Sequence, residues 1–122
     1  MLNKMALGRE RYFVVQSIYQ GWAWLGIILI LAITANTVLA IRVRRQTGPM
    51  LCAAASAAII CVTLAIFFTW TFPANQATAN WTIQPADWQA LRSHWEHSHA
   101  VNAALTFVAL CETTASALFR QR

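Results

Sequence analysis

The chain has 122 residues, of which 58% are hydrophobic and only 11% are charged. A soluble domain carries about 25% charged residues, so this composition disfavours a soluble domain, and its hydrophobicity excludes a disordered chain. The net charge of +5 does not indicate nucleic-acid binding, because the basic residues follow apolar runs and do not form a basic face among aromatic side chains. We therefore expect residues 1–122 to form a single membrane domain, with the lipid bilayer as its partner and no nucleic acid.

Three apolar segments have the length that a bilayer requires, about 20 residues. They are residues 21–41, 50–72 and 100–119. The third segment also contains several polar side chains, among them Glu112, so its polar face must be buried against other helices. The sequence therefore predicts an all-α fold, an integral membrane helical bundle with three transmembrane helices.

The two connections between these segments differ in length and content. The first is short and contains Gly48-Pro49, a turn signal, so the first two spans form an antiparallel hairpin. The second connection covers residues 73–99, and we expect Pro73 to end the helix before it. No glycine or proline interrupts the chain from Pro85 to about Phe119. This predicts one long helix, in which an amphipathic segment extends the last span outward.

Basic and aromatic residues predict the orientation in the membrane. Short loops rich in arginine stay in the cytoplasm, and Arg42, Arg44 and Arg45 form a compact cluster in the first connection. Tryptophan prefers the membrane interface, and a three-span topology places all six tryptophans on the opposite side. We therefore expect a bacterial inner-membrane protein with the Arg42–Arg45 loop in the cytoplasm and the 73–99 connection outside.

Polar and aromatic side chains form a stripe along one face of the last predicted helix, since residues three or four apart are neighbours on a helix. The members of this stripe are Trp88, Arg92, Trp95, Glu96, His99 and Asn102. Asn75 lies just above the second span and is placed to face the stripe. His94 and His97 fall outside it, and we expect them to face solvent or lipid headgroups.

Three interpretations of the stripe remain open. In the structural one, Arg92 pairs with Glu96, Glu96 bonds to His99, and the tryptophans anchor the interface. In the catalytic one, Glu96 is the acid or base, His99 is its proton partner, and Arg92 stabilises an oxyanion. The substrate-binding residues are then Asn75, Trp88, Trp95 and Asn102. In the third, Glu96 and His99 bind a metal with i,i+3 spacing. The shortage of nearby carboxylates disfavours it, so we predict no metal and no cofactor.

An ordered series of motifs covers much of the chain. A Pro-x-Asn motif at Pro73 is followed by Trp81, by a Pro-x-x-Trp helix start at Pro85, by Arg-x-x-Trp-Glu at Arg92 and by His99. This series resembles a family of small integral membrane proteins of unknown function that includes the anthrone oxygenases.

The resemblance implies a four-helix membrane bundle whose first transmembrane helix precedes the first residue of this chain. A second copy or a partner helix would then supply the missing wall. The resemblance also implies a cofactor-independent oxygenase-like enzyme, an oxidoreductase, that uses a polar pocket at the outer membrane rim and a hydrophobic aromatic small molecule. The alternative is a non-catalytic membrane subunit or structural protein whose Arg92–His99 face docks a partner helix.

Overall fold

The computed structural model describes residues 2–120. Helix covers 84% of the chain, and no strand forms within the described residues, so the predicted all-α class is confirmed. The chain divides into two compact units. The first unit comprises Met1–Trp24 and Ala65–Asn102, and the second comprises Leu25–Leu64 and Ala103–Arg122.

The α-helices are numbered in chain order. They are α1 (Arg9–Gln16), α2 (Gly26–Arg42), α3 (Thr47–Ile66), α4 (Phe72–Ala77) and α5 (Trp88–Phe119). Short 3-10 turns occur at Leu2–Ala6, Ser17–Tyr19 and Trp22–Leu25. A π-helical turn at Phe67–Thr71 joins α3 to α4 without a break.

Two helical stretches of the described chain are long and apolar enough to cross a membrane, by length and composition: Thr47–Ala77 and Trp88–Phe119. The helix α2 is also apolar but has only 17 residues, which is the lower limit for a span. It begins at Gly26, later than predicted, because Gly21 adopts a φ of 84° that interrupts the helix.

The helical stretch Thr47–Ala77 does not end at Pro73, so that expectation from the sequence is wrong. A proline inside a helix lacks an N–H donor, and its ring clashes with the carbonyl group four residues earlier. Here the π-helical turn at Phe67–Thr71 immediately precedes Pro73 and already departs from the regular hydrogen-bond pattern. The proline is therefore accommodated, and the helix continues to Ala77.

The prediction of one long final helix is confirmed, although it starts at Trp88 instead of Pro85. At the start of the helix, the Trp88 N–H donates to the carbonyl oxygen of Pro85 at 3.3 Å, and the Leu91 N–H donates to that of Asp87 at 3.3 Å. Residues 85–87 therefore form a turn that leads into α5.

The turn after α4 contains three consecutive residues with left-handed backbone: φ is 45° at Ala79, 57° at Asn80 and 67° at Trp81. This conformation costs a non-glycine residue about 1–2 kcal/mol. Two hydrogen bonds oppose the cost. The Asn80 N–H donates to the Asn75 carbonyl oxygen at 2.7 Å, and the Trp81 N–H donates to Thr78 Oγ1 at 3.0 Å. The turn directs the Trp81 indole into the core of the first unit, where it is buried.

Small polar side chains join the helices of the second unit. The Ser56 hydroxyl on α3 donates to the Ala109 carbonyl oxygen on α5 at 2.9 Å. The Thr113 hydroxyl donates to Asn36 Oδ1 on α2 at 2.8 Å. Both Asn36 and Ser56 are buried, so these polar groups of α2, α3 and α5 are satisfied between helices.

Candidate functional site

The core of the first unit is a mainly aromatic cluster, called the aromatic cluster below, built from α1, α4, the turn after α4 and the outer part of α5. Its buried members are Tyr12, Phe13, Ala74, Trp81, Trp88 and Trp95. The Tyr12 and Trp81 rings meet edge to face with centroids 5.3 Å apart, and Trp81 meets Trp95 at 6.1 Å. Each such pair stabilises the fold by about 0.5–1.5 kcal/mol beyond the effect of the area it buries. The cluster therefore holds the polar groups inside it in fixed positions.

An ion pair between Lys4 and Glu96 lies within this cluster. Lys4 Nζ is 2.8 Å from Glu96 Oε1, and the Glu96 side chain is 0% exposed. The ammonium group also lies 4.5 Å from the ring centroid of Tyr19 and 4.7 Å from that of Trp95. Burying a charge costs several kcal/mol. The carboxylate and the two ring faces are therefore what keeps the Lys4 cation in place.

Two side chains of α1 complete the surroundings of the ion pair. The Tyr12 hydroxyl donates to Glu96 Oε1 at 3.0 Å, and Lys4 Nζ donates to Gln16 Oε1 at 2.7 Å. Tyr12 and Gln16 are one helical turn apart, so α1 presents both on one face. Burial and the adjacent Glu96 carboxylate raise the pKa of Tyr12 far above its usual range. Its phenol group therefore remains a hydrogen-bond donor.

Two polar atoms beside the ion pair are unpartnered. Within residues 2–120, Glu96 Oε2 and Gln16 Nε2 are buried and have no hydrogen-bond partner. Each side chain contacts the Lys4 ammonium through its other polar atom. An unpartnered acceptor and an unpartnered donor therefore both lie next to one cation. Buried polar groups are rarely left in this state, and Glu96 Oε2 retains the capacity to accept a hydrogen bond.

Arg92 and His99 have partners other than Glu96. Arg92 Nη1 donates to the Leu7 carbonyl oxygen at 3.0 Å, and its guanidinium group lies 4.7 Å from the ring centroid of Trp88. His99 stacks on Trp95 with ring centroids 3.7 Å apart and donates from Nδ1 to the Trp95 carbonyl oxygen at 2.9 Å. Lys4 thus holds the cationic position beside Glu96 that the sequence suggested for Arg92.

The two asparagines of the predicted site, Asn75 and Asn102, have different surroundings. Asn75 Oδ1 accepts hydrogen bonds from the indole N–H groups of Trp81 and Trp95, each at 3.0 Å. Asn75 therefore fixes two rings of the aromatic cluster, which is where the sequence expected it to lie. Asn102 is half-buried on α5, beyond His99. The catalytic and binding assignments of the stripe residues stay predictions.

Sequence reasoning missed Lys4, Tyr12 and Gln16, which surround Glu96. One signal was available: Lys4 is the lone lysine of the chain, and it stands among apolar residues. The spacing of Tyr12 and Gln16 places them on one helical face. Neither observation identifies Glu96 as their partner, because the contact joins segments that are distant in sequence.

The described residues contain no group of three or more His, Cys, Asp or Glu side chains suited to hold a metal ion. Glu96 and His99, the pair considered for a metal from the sequence, are held separately by Lys4 and by Trp95.

A groove lies on another face of α5, opposite the π-helical turn, and has a volume of about 370 Å³. Its apolar lining consists of Ile66, Trp70 and Val101, and its polar lining consists of Ser93, His94, His97 and Ser98. The hydroxyl groups of Thr71 and Ser98 share a hydrogen bond of 2.8 Å, which joins the two walls. His94 and His97 are exposed, as expected from the sequence.

Comparison of the chain with protein-family models, with curated proteins and with solved structures finds no match.

Proposed function

We propose that the protein is a small integral membrane protein whose spans are residues 21–41, 50–72 and 100–119. The support is the large apolar surface of its helices. Leu31 on α2 is 62% exposed, and Phe107 and Leu110 on α5 are 66% and 61% exposed. Water-soluble monomers rarely expose contiguous apolar patches of this kind, whereas the hydrocarbon of a bilayer covers them without cost.

The same proposal sets the orientation. The Arg42–Arg45 loop faces the cytoplasm of a bacterium, because clustered arginines in a short loop are retained there. Residues 73–99, with the aromatic cluster of the first unit, then lie at the outer rim of the inner membrane. Modification of single cysteines placed at Arg44 and at Gln89, two exposed positions, tests this orientation in intact cells. Labelling at Arg44 but not at Gln89 by an impermeant reagent contradicts it.

We further propose that the Lys4–Glu96 cluster is the reactive centre of an oxygenase-like oxidoreductase. The observation that carries this proposal is the buried and unpartnered Glu96 Oε2 beside the Lys4 ammonium. Glu96 accepts a proton from the substrate as general base. Lys4 stabilises the negative charge that develops on the substrate. The substrate is a hydrophobic aromatic molecule, the class that the family resemblance implies, and dioxygen is the oxidant.

Dioxygen uptake by purified protein with anthrone as substrate tests this proposal. We expect uptake above the protein-free rate, and a loss of about 100-fold in Glu96→Gln, the scale of a lost general base. Glu10→Gln is the matched control, because Glu10 is an exposed carboxylate of α1 and its loss leaves the rate unchanged. The double variant Lys4→Met/Glu96→Gln, which leaves no unpaired buried charge, serves if the single variant does not fold. If the folded wild-type protein shows no dioxygen uptake, the proposal is contradicted.

A second candidate is a non-catalytic membrane subunit that docks a partner helix through its Arg92–His99 face. In the described chain Arg92 and Glu96 of this face contact Leu7, Lys4 and Tyr12 of the N-terminal segment. A partner helix would therefore have to displace this segment from the face. In this case Glu96→Gln lowers association, measured by crosslinking in membranes, and no dioxygen uptake is seen with any variant.

A further inference from the structure

Five oxidisable rings of the first unit form a continuous series of contacts from its interior to its surface. The ring centroids are 5.3 Å apart from Tyr12 to Trp81 and 6.1 Å apart from Trp81 to Trp95. They are 5.0 Å apart from Trp95 to Tyr19 and 4.6 Å apart from Tyr19 to Trp22. Tyrosine and tryptophan lose an electron far more readily than phenylalanine or aliphatic side chains, and electrons tunnel rapidly between rings in contact. These five residues, called the aromatic chain below, therefore provide a path for an electron.

Tyr12 is the inner end of the aromatic chain and has a proton acceptor in place. Its hydroxyl donates to Glu96 Oε1 at 3.0 Å. Burial and this carboxylate raise the pKa of Tyr12 above its usual range, so the phenol keeps its proton unless an electron leaves as well. A phenol that has lost an electron is a strong acid, and Glu96 is positioned to accept its proton. Tyr12 can therefore become a neutral phenoxyl radical without placing a positive charge on its ring.

The two buried indoles of the chain are suited to pass an electron and unsuited to remain oxidised. The N–H groups of Trp81 and Trp95 donate to Asn75 Oδ1, and an amide oxygen is too weak a base to take their protons. Their radicals therefore stay positively charged, and a buried charge is costly. The Lys4 ammonium, 4.7 Å from the ring centroid of Trp95, disfavours a positive charge there further.

Trp22 is the outer end of the chain, and its side chain is 48% exposed. The first proposed span begins at residue 21, so this indole lies at the membrane interface, which tryptophan prefers. Interfacial water solvates a radical cation at Trp22 and accepts its N–H proton, which leaves a neutral radical. An oxidising equivalent that starts at Tyr12 is therefore most stable after it has moved to Trp22.

We propose that the aromatic chain carries oxidising equivalents from the Glu96 centre to Trp22, where they do not damage that centre. The source is a peroxyl radical, formed when dioxygen adds to a radical of the aromatic substrate. It takes one electron from Tyr12 and becomes a peroxide anion, while the Tyr12 proton passes to Glu96. An electron then moves inward from Trp22 to Tyr12, Glu96 returns the proton, and the Trp22 indole loses its N–H proton to water. This source rests on the proposed oxygenase function, whereas the electron path does not.

Photo-oxidation from a fixed position tests the path. A ruthenium polypyridine complex is attached to Gln89→Cys, an exposed position next to Trp88, in protein whose three cysteines are replaced by alanine. Flash excitation with a dissolved electron acceptor turns the complex into a one-electron oxidant, and mass spectrometry locates the oxidised residues. Trp24 is the internal reference, because it is 75% exposed against 48% for Trp22, so exposure alone favours its oxidation. We expect oxidation at Trp22 in excess of that at Trp24.

Variants of Tyr19 make the outcome decisive. Tyr19→Leu removes the ring between Trp95 and Trp22, so the excess at Trp22 should disappear and oxidation at Tyr12 should rise. Tyr19→Phe keeps a ring and should retain part of the excess. Trp22→Phe, at an exposed position, should also raise oxidation at Tyr12 and serves if Tyr19→Leu does not fold.

Two results overturn the proposal. One is oxidation at Trp24 equal to or above that at Trp22 in the protein with Tyr19 intact. The other is an excess at Trp22 that survives Tyr19→Leu. Neither readout requires dioxygen uptake, so failure of the electron path leaves the oxygenase proposal standing. An excess at Trp22 in protein that takes up no dioxygen supports the path and removes only the peroxyl radical as its source.

Discussion

The Lys4 ammonium lies 2.8 Å from Oε1 of Glu96, in surroundings that leave the glutamate side chain no exposure to water. Two opposite charges in such a place depend on each other, since either one alone would be buried without compensation. Tyr12 and Gln16 add hydrogen bonds to the pair. The N-terminal segment is therefore fastened to α5 by charge as well as by aromatic packing.

Removal of either charge should be costly, and removal of both should be less so. We expect Lys4→Met and Glu96→Gln each to lower the free energy of unfolding by about 3–5 kcal/mol. The double variant should lose less than the sum of the two, because no unpaired charge remains. Titration with a denaturing detergent, followed by circular dichroism, measures all three values. Arg9→Gln, at an exposed position, should change stability by less than about 0.5 kcal/mol. Additive losses in the double variant argue against a coupled pair.

Tyr12 should make the fold sensitive to alkaline pH. The pKa of Tyr12 is raised above its ordinary value of 10.0 by burial and by Glu96, so the folded protein keeps a proton that the unfolded chain releases. The stability contributed by this proton is complete below about pH 10 and declines as the pH rises further. At about pH 11, folded wild type and Tyr12→Phe should show equal tyrosinate absorbance. Unfolding at that pH should add one more tyrosinate to wild type than to Tyr12→Phe. A tyrosinate from Tyr12 in the folded protein contradicts this assignment.

Asn75 should be required for the position of two indole rings. Asn75→Ala leaves the N–H groups of Trp81 and Trp95 without their acceptor, at a cost of about 1–3 kcal/mol for each buried group. Asn75→Asp retains an acceptor oxygen and should be milder. Near-ultraviolet circular dichroism and thermal unfolding report the two effects. Gln76→Ala, at the exposed neighbouring position of the same helix, is the control. Equal spectra for Asn75→Ala and Gln76→Ala would show that the rings hold without Asn75.

Gly21, which precedes α2, and Gly26, which is its first residue, should respond oppositely to alanine. Gly21 has a φ of 84° and open space around it, so Gly21→Ala is penalised through its backbone alone, by about 1–2 kcal/mol. Gly26 also has open space but starts the helix, where alanine stabilises by up to about 1 kcal/mol. The same detergent titration compares the two variants. Stabilisation by both would mean that the chain does not turn at Gly21.

The helical class and the long final helix were predictable, because they depend on apolar runs and on the absence of glycine and proline. The positions of helix ends were less so. Pro73 predicts a stop, but the π-helical turn before it depends on hydrogen bonding that no local sequence rule reveals. The helix α2 is shorter than predicted because of the backbone conformation of Gly21. A glycine permits this conformation, but the sequence does not require it.

For the candidate site, helical spacing correctly grouped Arg92 and Glu96 on one face with Trp88 and Trp95. It failed to identify their partners. Spacing rules describe neighbours on a single helix, and they therefore suggested an Arg92–Glu96 ion pair. The actual cation, Lys4, reaches Glu96 from a distant segment, and a contact of that kind follows only from the tertiary fold.

The left-handed turn at Ala79, Asn80 and Trp81 has a consequence for how the first unit opens. Its backbone is unfavourable alone and persists because the Trp81 indole is buried against Tyr12 and Trp95. When α1 detaches from the cluster, the turn loses the packing that maintains it. When the turn unfolds, α1 in turn becomes exposed to solvent. The two segments should form one cooperative unit. In native-state hydrogen exchange, the amide protons of Asn80 and Ile83 should exchange at the same free energy of opening as that of Tyr12, and all three should become labile together in Lys4→Met.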